Sequence, residues 1–425
     1  MDINKQLFSF LKKSPTAYHA VNTVKEMLLE NGFEELFENA EWKLSDSGKY
    51  FVIRNGSSII AFCNRKNKNG FMITASHSDS PAFRLKMTPE SIGAYTRLEV
   101  EKYGGMIYYS WLDRPLSLAG RVVVRTENGI ETNLVNIDRD IAVIPSLAIH
   151  MNRGVNESCK LNPAVDLLPL ASSKNENSKG SVTSEIAKEL SIAKEDIISH
   201  DIFLYNREEG RIFGLNGEYI LAPRLDDLEC VFASAKAFLE AKAGESIPVL
   251  AVFDNEEVGS ETKQGAASTF LYDIMHRIAG DKYNVMLDNS FMVSADNAHA
   301  KHPSHPELSD PDNAPLMNGG VVIKWNANQK YATDGISNAI FSEIGKRCGA
   351  KIQSYYNRAD LPGGSTLGSI SNTKVSIKTV DIGLPQLAMH SATETAGAFD
   401  VLEMVKILRE FFETSIKQNG EKIDF

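Results

Sequence analysis

The stretch Val249–Ser260, VLAVFDNEEVGS, decides how the chain is read. An apolar run, Val249 to Phe253, stops abruptly at Asp254, Asn255, Glu256 and Glu257, and a glycine turn follows. An apolar run of this length that ends in a turn predicts a buried strand. Side chains alternate along extended backbone, so two adjacent glutamates at the strand end are expected to point different ways. One can then bind a metal ion while its neighbour takes a proton from the attacking water. A carboxylate pair at the mouth of an α/β sheet is costly unless cations balance it.

Outward from this stretch the chain offers further ligands. His77 and Asp79 lie in ITASHSDSPAFRLK, just after the apolar run Phe71–Ala75. Asp226 and Asp227 lie in APRLDDLECVFA, at the start of a helical pattern. Asp296 and His299 lie in FMVSADNAHAKHP, and His390 lies in LPQLAMHSATETAG. Each cluster sits at a predicted strand end or helix start, where open α/β sheets place their ligands. Two histidines and several carboxylates, with no cysteine among them, suit a hydrolytic pair of divalent ions: zinc, with cobalt or manganese as alternatives.

Each cluster also has a plainer explanation. His77 and Asp79 alone fit a surface loop; as ligands, Asp79 would accept from the second ring nitrogen of His77 and fix its tautomer. Asp226 and Asp227 alone fit an acidic helix N-terminus. Asp296 alone fits a cap, and His390 alone a satisfied core histidine. Two glutamates beside Asp254 are harder to explain without a cation. His299, three residues after Asp296, is expected in the pocket, whereas His302 and His305 read as an exposed loop. His150, in IPSLAIHMNR, has no ligand candidate near it in sequence and reads as an ordinary histidine. The glycines of ADLPGGSTLGS (359–369) fit a close backbone approach to a ligand or an ordinary tight turn, with neither a Walker loop nor a dinucleotide fingerprint.

Length and composition set the frame. A chain of 425 residues exceeds what one core usually holds, so two or more domains are expected. The net charge of −10, without any basic run, argues against nucleic acid as a partner. Four widely spaced cysteines without a CxxC pair suit reduced thiols in the cytoplasm. The N-terminal MDINKQLFSFLKKSPTAYHAV lacks the apolar core of a signal peptide, and no stretch approaches 18 apolar residues, so no membrane span is expected.

Along the chain, residues 2–13 and 17–30 predict helices, the second closed by Asn31-Gly32. Strands are expected at Lys49–Arg54, Ser58–Cys63 and Phe71–Ala75. The texture then turns β-rich, with strands expected at Gly120–Arg125, Ile141–Ile144 and Arg211–Phe213. The polar segment SSKNENSKGSVTSE (172–185) reads as a surface excursion. The α/β pattern returns from Leu225 and runs to a final helix from Gly397 to about Ser415. The ligand candidates split the same way. His77 precedes the β-rich middle, while Asp226, Glu256, Glu257, Asp296 and His390 follow it. The expectation is an α/β fold with a discontinuous catalytic domain, 1–88 and 218–425, a mixed sheet flanked by helices. Residues 89–217 form an inserted β-rich domain.

Together SPTAYHAV, SHSDSPAFRLK, IPSLAIHMNR, PRLDDL, DNEEVGS, SADNAHAKHP and LPQLAMHS resemble the M18 metallo-aminopeptidases, over essentially the whole chain. The resemblance implies two zinc-type ions: His77, Asp226 and Asp296 for one, and Asp226, Glu257 and His390 for the other, with Asp226 bridging. It implies Glu256 as general base, Asp79 orienting His77, and His150 reaching a neighbouring subunit's active site. It implies His299, Lys324 and Tyr331 as substrate-pocket positions and a tetrahedral homododecamer whose dimer contacts come from the inserted domain. The family's aspartyl branch carries an asparagine where this chain has Asp227, and a cysteine and second threonine are common where it reads PGGSTLG; both bear on pocket preference.

The expected function is release of the N-terminal residue from peptides with a free N-terminus, with Asp or Glu preferred. Lys324, in VVIKWN, would pair with the acidic side chain, unless it is a solvated strand lysine. Rival readings are a broad or neutral aminopeptidase of the same fold, a related metal-dependent deacylase, and a non-catalytic self-assembling scaffold.

Overall fold

A computed structural model describes residues 2–66, 69–174, 179–242 and 244–425. The chain divides into two compact units: residues 1–79, 210–389 and 394–425 form the first, and residues 80–209 with 390–393 form the second.

The first unit is built on a nine-stranded mixed sheet. Its strand order is Glu34–Glu35, Lys49–Arg54, Ser58–Cys63, Ile247–Phe253, Phe71–His77, Phe291–Ala295, Lys378–Gly383, Val321–Trp325 and Ile352–Tyr356. The central strands are apolar on both faces because helices cover both, the usual reason for continuous apolar runs. Alternation sorts their side chains into two cores. Phe51, Ile59, Ala61, Met72, Leu250, Val252 and Val293 share one with buried residues of helices Ile3–Lys13, Ala17–Glu30, Leu225–Glu240 and Asp400–Glu413. Val52, Ile60, Phe62, Ile73, Ala251 and Phe253 share the other with those of helices Phe270–Ala279 and Tyr283–Asp288. The result is a three-layer α/β unit.

The helices end where their caps dictate. Ala17–Glu30 stops at Asn31, and left-handed Gly32 (φ 78°) follows. The final helix begins at Asp400, three residues after the expected Gly397, since Glu394–Gly397 is a strand. That strand belongs to a five-stranded sheet in the order Arg211–Phe213, Tyr219–Ala222, Glu394–Gly397, Pro385–Leu387 and Ala298–His299.

The second unit is an antiparallel six-stranded sheet. The order is Gly129–Asn136, Leu116–Thr126, Ile197–Asn206, Ala82–Ile92, Tyr95–Tyr103 and Leu170–Ser173. Phe83, Leu85, Leu118, Val122, Ile202 and Leu204 alternate into its core. Ile141–Ile144 makes only isolated bridges, because Ala142 and Val143 pair with different neighbours, Leu116 and Leu170. Of the polar segment 172–185, residues 175–178 lie outside the described residues. Its end is not loop: Ser181–Leu190 is a helix, with Val182 and Ile186 four residues apart and buried in the unit's core. Among the described residues, no helix is long and apolar enough to cross a membrane.

Candidate metal centre

Three strands deliver His77, Asp79, Glu256, Glu257 and Asp296 to one edge. Phe71–His77 lies between Ile247–Phe253 and Phe291–Ala295, parallel to both, and His77 pairs in register with Phe253. Their carboxyl ends therefore release Ser78–Asp79, Asp254–Glu257 and Asp296 on the same side, the crevice where α/β sheets bind ligands. The irregular first turn of the segment Leu225–Glu240 supplies Asp226 and Asp227. Arg224 is left-handed (φ 59°), Asp226 and Asp227 fall outside helical geometry, and the peptide joining them is cis.

Candidate ligand atoms of His77, Asp226, Asp227 and Asp296 lie within 4.8 Å of one another, and all four side chains are buried. His77 Nε2 is 3.6 Å from Asp226 Oδ1. Its Nδ1 lies 3.0 Å from the Asp79 carbonyl oxygen and 3.3 Å from Asp79 Oδ1. An acceptor at Nδ1 assigns the ring proton there, which leaves the Nε2 lone pair toward Asp226. The backbone N–H of His77 donates to Asp227 Oδ2 at 3.0 Å, and that of Asp226 donates to Glu394 Oε2 at 3.0 Å.

The glutamates are not on the strand. It ends at Phe253, and Asn255 turns left-handed (φ 66°) into a single 3₁₀ turn, Glu256–Val258. Strand alternation therefore does not set their directions. The turn is pinned twice. The Asp79 carboxylate accepts the N–H groups of Glu256 and Glu257, each at 3.2 Å. Asn255 Oδ1 accepts from Thr262 Oγ1 at 2.8 Å and Gln264 Nε2 at 2.7 Å. Asp79 thus serves the turn as well as His77.

The electrostatics are those of crowded, buried carboxylates. Burial pushes Glu256 up to about 7, helped by Asp296, Asp79 and Asp226 and opposed by His77. Burial also raises Asp227 well above the usual range, with Asp296 and Asp226 adding to it. Asp296 is raised by burial, against the pull of Lys324. Burial works against the His77 imidazolium, but Asp227, Asp226, Asp79 and Glu256 outweigh it and hold the ring well above its ordinary value. Such an arrangement fits a divalent cation, which inverts these local preferences. One further atom supports the fit: buried Asp227 Oδ1 has no hydrogen-bond partner among the described residues.

Of the pocket candidates, Lys324 stands beside Asp296. Lys324 is not a solvated strand lysine; it is 3% exposed. Its Nζ donates to the Asn297 carbonyl at 2.9 Å, lies 3.5 Å from Asp296 Oδ1 and sits 5.5 Å from the centre of the Tyr331 ring. Asp296 and its acidic neighbours hold the ammonium above its ordinary range against the cost of burial. Tyr331 is buried, His299 is exposed, and Tyr355 stands between them at 6.4 and 6.2 Å, ring centre to ring centre. The glycine loop 362–368 is tied at Thr366, whose Oγ1 donates to buried Asp381 at 2.7 Å. His302 and His305 lie on an exposed turn, as expected of a plain loop.

Two candidates belong to the second unit. His390 is left-handed (φ 66°) and half-buried, with its Nδ1 2.9 Å from the Gly105 carbonyl, the same anchoring that His77 shows. His150 lies in an exposed turn flanked by Leu147, Ile149 and Met151, at 59%, 48% and 75% exposure. Sequence reasoning passed over Asn297, Glu229, Cys230 and Gln386, which are all buried. A polar residue within the apolar helix pattern was the available signal for Glu229, and the position after Asp296 was the signal for Asn297.

A family model described as aminopeptidase I zinc metalloprotease, M18, matches residues 10–412. A probable M18 family aminopeptidase 2 from Clostridium acetobutylicum is 46% identical, covering 97% of this chain and 99% of that protein. A protein of the same description from Pseudomonas aeruginosa (strain LESB58) is 38% identical, with 97% and 99% covered. Among solved structures, a chain of the Ape4–Nbr1 complex superposes with a TM-score of 0.94 at 36% identity, over 97% of this chain and 85% of that one. A chain of the mApe1 dodecamer of S. cerevisiae gives 0.85 at 28% identity, over 97% and 96%.

Proposed function

The chain belongs to the M18 family of metal-dependent aminopeptidases, and from that premise we propose a two-metal enzyme that removes the N-terminal residue from peptides, preferring Asp or Glu. The observation that carries the reading is the buried grouping of His77, Asp226, Asp227 and Asp296 beside a turn that presents Glu256 and Glu257. In this proposal His77, Asp226 and Asp296 hold one ion, and Asp226, Glu257 and His390 hold the other, as the family pattern implies. We favour zinc for an imidazole and carboxylate donor set without thiolate.

When bound, such ions polarise the scissile carbonyl and lower the pKa of water toward about 7. Glu256 takes the proton from the attacking water and returns it to the leaving amine. Asp79 keeps Glu256 in place through its backbone and keeps the His77 proton on Nδ1. His150 from a neighbouring subunit steadies the developing oxyanion. His299, Lys324 and Tyr331 line the pocket for the first residue. We further propose a tetrahedral homododecamer in the cytoplasm, with the second unit making dimer contacts. The dodecameric relative and the described cysteines, all free thiols, support these readings.

A second reading, a broad or neutral aminopeptidase, has an observation of its own. Lys324 already meets Asp296 and the Asn297 carbonyl, so only part of its donor capacity remains for a substrate carboxylate. The test is a rate profile over N-terminal residues with several divalent ions, with N-acyl amino acids as the deacylase control. Acidic preference that Lys324→Met erases supports the first reading; Leu substrates cleaved as fast as Asp and Glu ones support the second. A lysine–carboxylate contact is a charge-assisted bond, and its loss beside a buried partner costs about 2–5 kcal/mol.

A further inference from the structure

We infer that Asn297 is a positioning residue that fixes the proposed metal ligand Asp296 and the proposed pocket cation Lys324 relative to each other. The inference rests on the reading of Asp296 as a ligand.

Asn297 directly follows Asp296 and is 2% exposed. Its amide joins two elements, helix Leu225–Glu240 and strand Pro385–Leu387. Nδ2 donates to Glu229 Oε2 at 3.2 Å and to Gln386 Oε1 at 3.0 Å. Oδ1 accepts from Cys230 Sγ at 2.9 Å. Its main-chain carbonyl accepts from Lys324 Nζ at 2.9 Å. Glu229, Cys230 and Gln386 are each at most 1% exposed.

As placed, the amide sets Nδ2 against the Glu229 carboxyl and the Gln386 amide oxygen and Oδ1 against the Cys230 thiol; turning Asn297 alone would set Oδ1 against two oxygens and Nδ2 against that thiol. The side chain therefore clamps residue 297 between helix Leu225–Glu240 and strand Pro385–Leu387. The backbone on either side of the clamp carries two functional groups: the Asp296 carboxylate before it and the acceptor for Lys324 on it. The helix that supplies Glu229 and Cys230 also carries Asp226, so the clamp ties Asp296 to another proposed ligand. Partners that orient ligands are commonly worth 10–100-fold in metal affinity.

Reversing the donor and acceptor roles tests this directly. Asn297→Asp keeps the shape but cannot donate to Glu229 or Gln386. Adding Glu229→Gln supplies a donor facing the new carboxylate and restores the original charge. Gln386 can turn to match, because its Nε2 has no hydrogen-bond partner among the described residues. The experiment measures metal stoichiometry and dissociation constants, KM for acidic substrates and thermal unfolding, on wild type, Asn297→Asp, the double variant and Asp296→Ala.

Asn297→Asp is expected to bind one ion about 10- to 100-fold more weakly and to raise KM, with the double variant recovering most of both. Wild-type ion affinity in Asn297→Asp overturns the proposal, and so does a double variant no better than the single one. If Asn297→Asp does not fold, a folded, metal-binding double variant supports the proposal and an unfolded one overturns it. If Asp296→Ala keeps both ions, the ligand reading itself fails and the proposal falls with it. If Asp296→Ala loses an ion while Asn297→Asp does not, only the proposal falls.

Discussion

A general base must lose its proton near working pH yet hold it strongly enough to have taken it from water. In its proposed role Glu256 would meet this through its surroundings: burial and three nearby carboxylates, opposed by His77, push it up to about 7. Bound cations act in the opposite direction. A carboxyl group serves as base only when ionised, so kcat/KM should rise with pH along an acid limb lying at or below about pH 7. A pH–rate profile of the metal-loaded enzyme checks this, and an acid limb well above pH 7 would contradict it. Glu256→Gln keeps the shape and removes the proton acceptor, so turnover should fall by ~10²–10⁴-fold with both ions retained. Metal analysis beside the rate measurement separates the two effects; more than a tenth of wild-type rate in a metal-replete variant removes Glu256 from this role. That Glu256 and Glu257 follow closely on a buried strand was legible in the sequence, because the apolar run Val249–Phe253 stops abruptly at acidic residues. Their placement was not. The left-handed turn at Asn255 and its ties to Thr262 and Gln264 depend on contacts seven and nine residues on, beyond any local pattern.

Elements were legible where burial gives a periodic pattern. Helices Ile3–Lys13 and Ala17–Glu30 and strands Lys49–Arg54 and Ser58–Cys63 lie where the spacing of apolar residues predicts them. Helix Ser181–Leu190 was hidden because only Val182, Ile186 and Ala187 are buried in a segment otherwise rich in Ser and Lys. Strand order was not legible, since parallel pairing joins Phe71–His77 to a strand about 180 residues later, and no short-range signal records that. Arg224, next to the Asp226 turn, donates to the carbonyls of Leu11 and Ser14, fastening the end of the first helix to that turn. His19 lies against this joint, with Nδ1 2.9 Å from Thr16 Oγ1. Burial and then the Arg224 charge lower its pKa to about 4. An unfolded histidine titrates near 6.5, so the unfolded chain binds more protons between those values and stability rises with pH across that window. The contribution is complete above about pH 6.5 and is lost as pH falls toward 4, with an upper bound of roughly 3 kcal/mol that partial exposure reduces. Denaturant unfolding of metal-free protein at pH 6.5 and 4.5 should show a steeper loss in wild type than in His19→Gln. Equal losses would show that another group governs the acid side.

At the scale of the whole molecule the question is why His150 stands where it does. It lies in an exposed turn of the second unit, between exposed Leu147, Ile149 and Met151. Exposed apolar side chains grouped in this way support the proposal that this turn meets another chain. The proposal that a neighbour's His150 completes each active site predicts a sharp genetic behaviour. His150→Ala should lose activity while keeping its metal, and so should Glu256→Gln, for different reasons. When subunits of the two are exchanged, a site that keeps its own Glu256 can receive an intact His150 from the other variant. In a randomly mixed equal population, about a quarter of sites pair both intact groups, because each site draws its base from one subunit and its histidine from another across a symmetric interface. Activity should therefore reappear on mixing and scale with the product of the two variants' fractions. A histidine acting within its own subunit gives no such recovery, since every site would then lack one of the two groups. Mixed oligomers verified by differential tags that show no activity above the parent variants would rule out the exchange across subunits and return His150 to a structural role in its own chain.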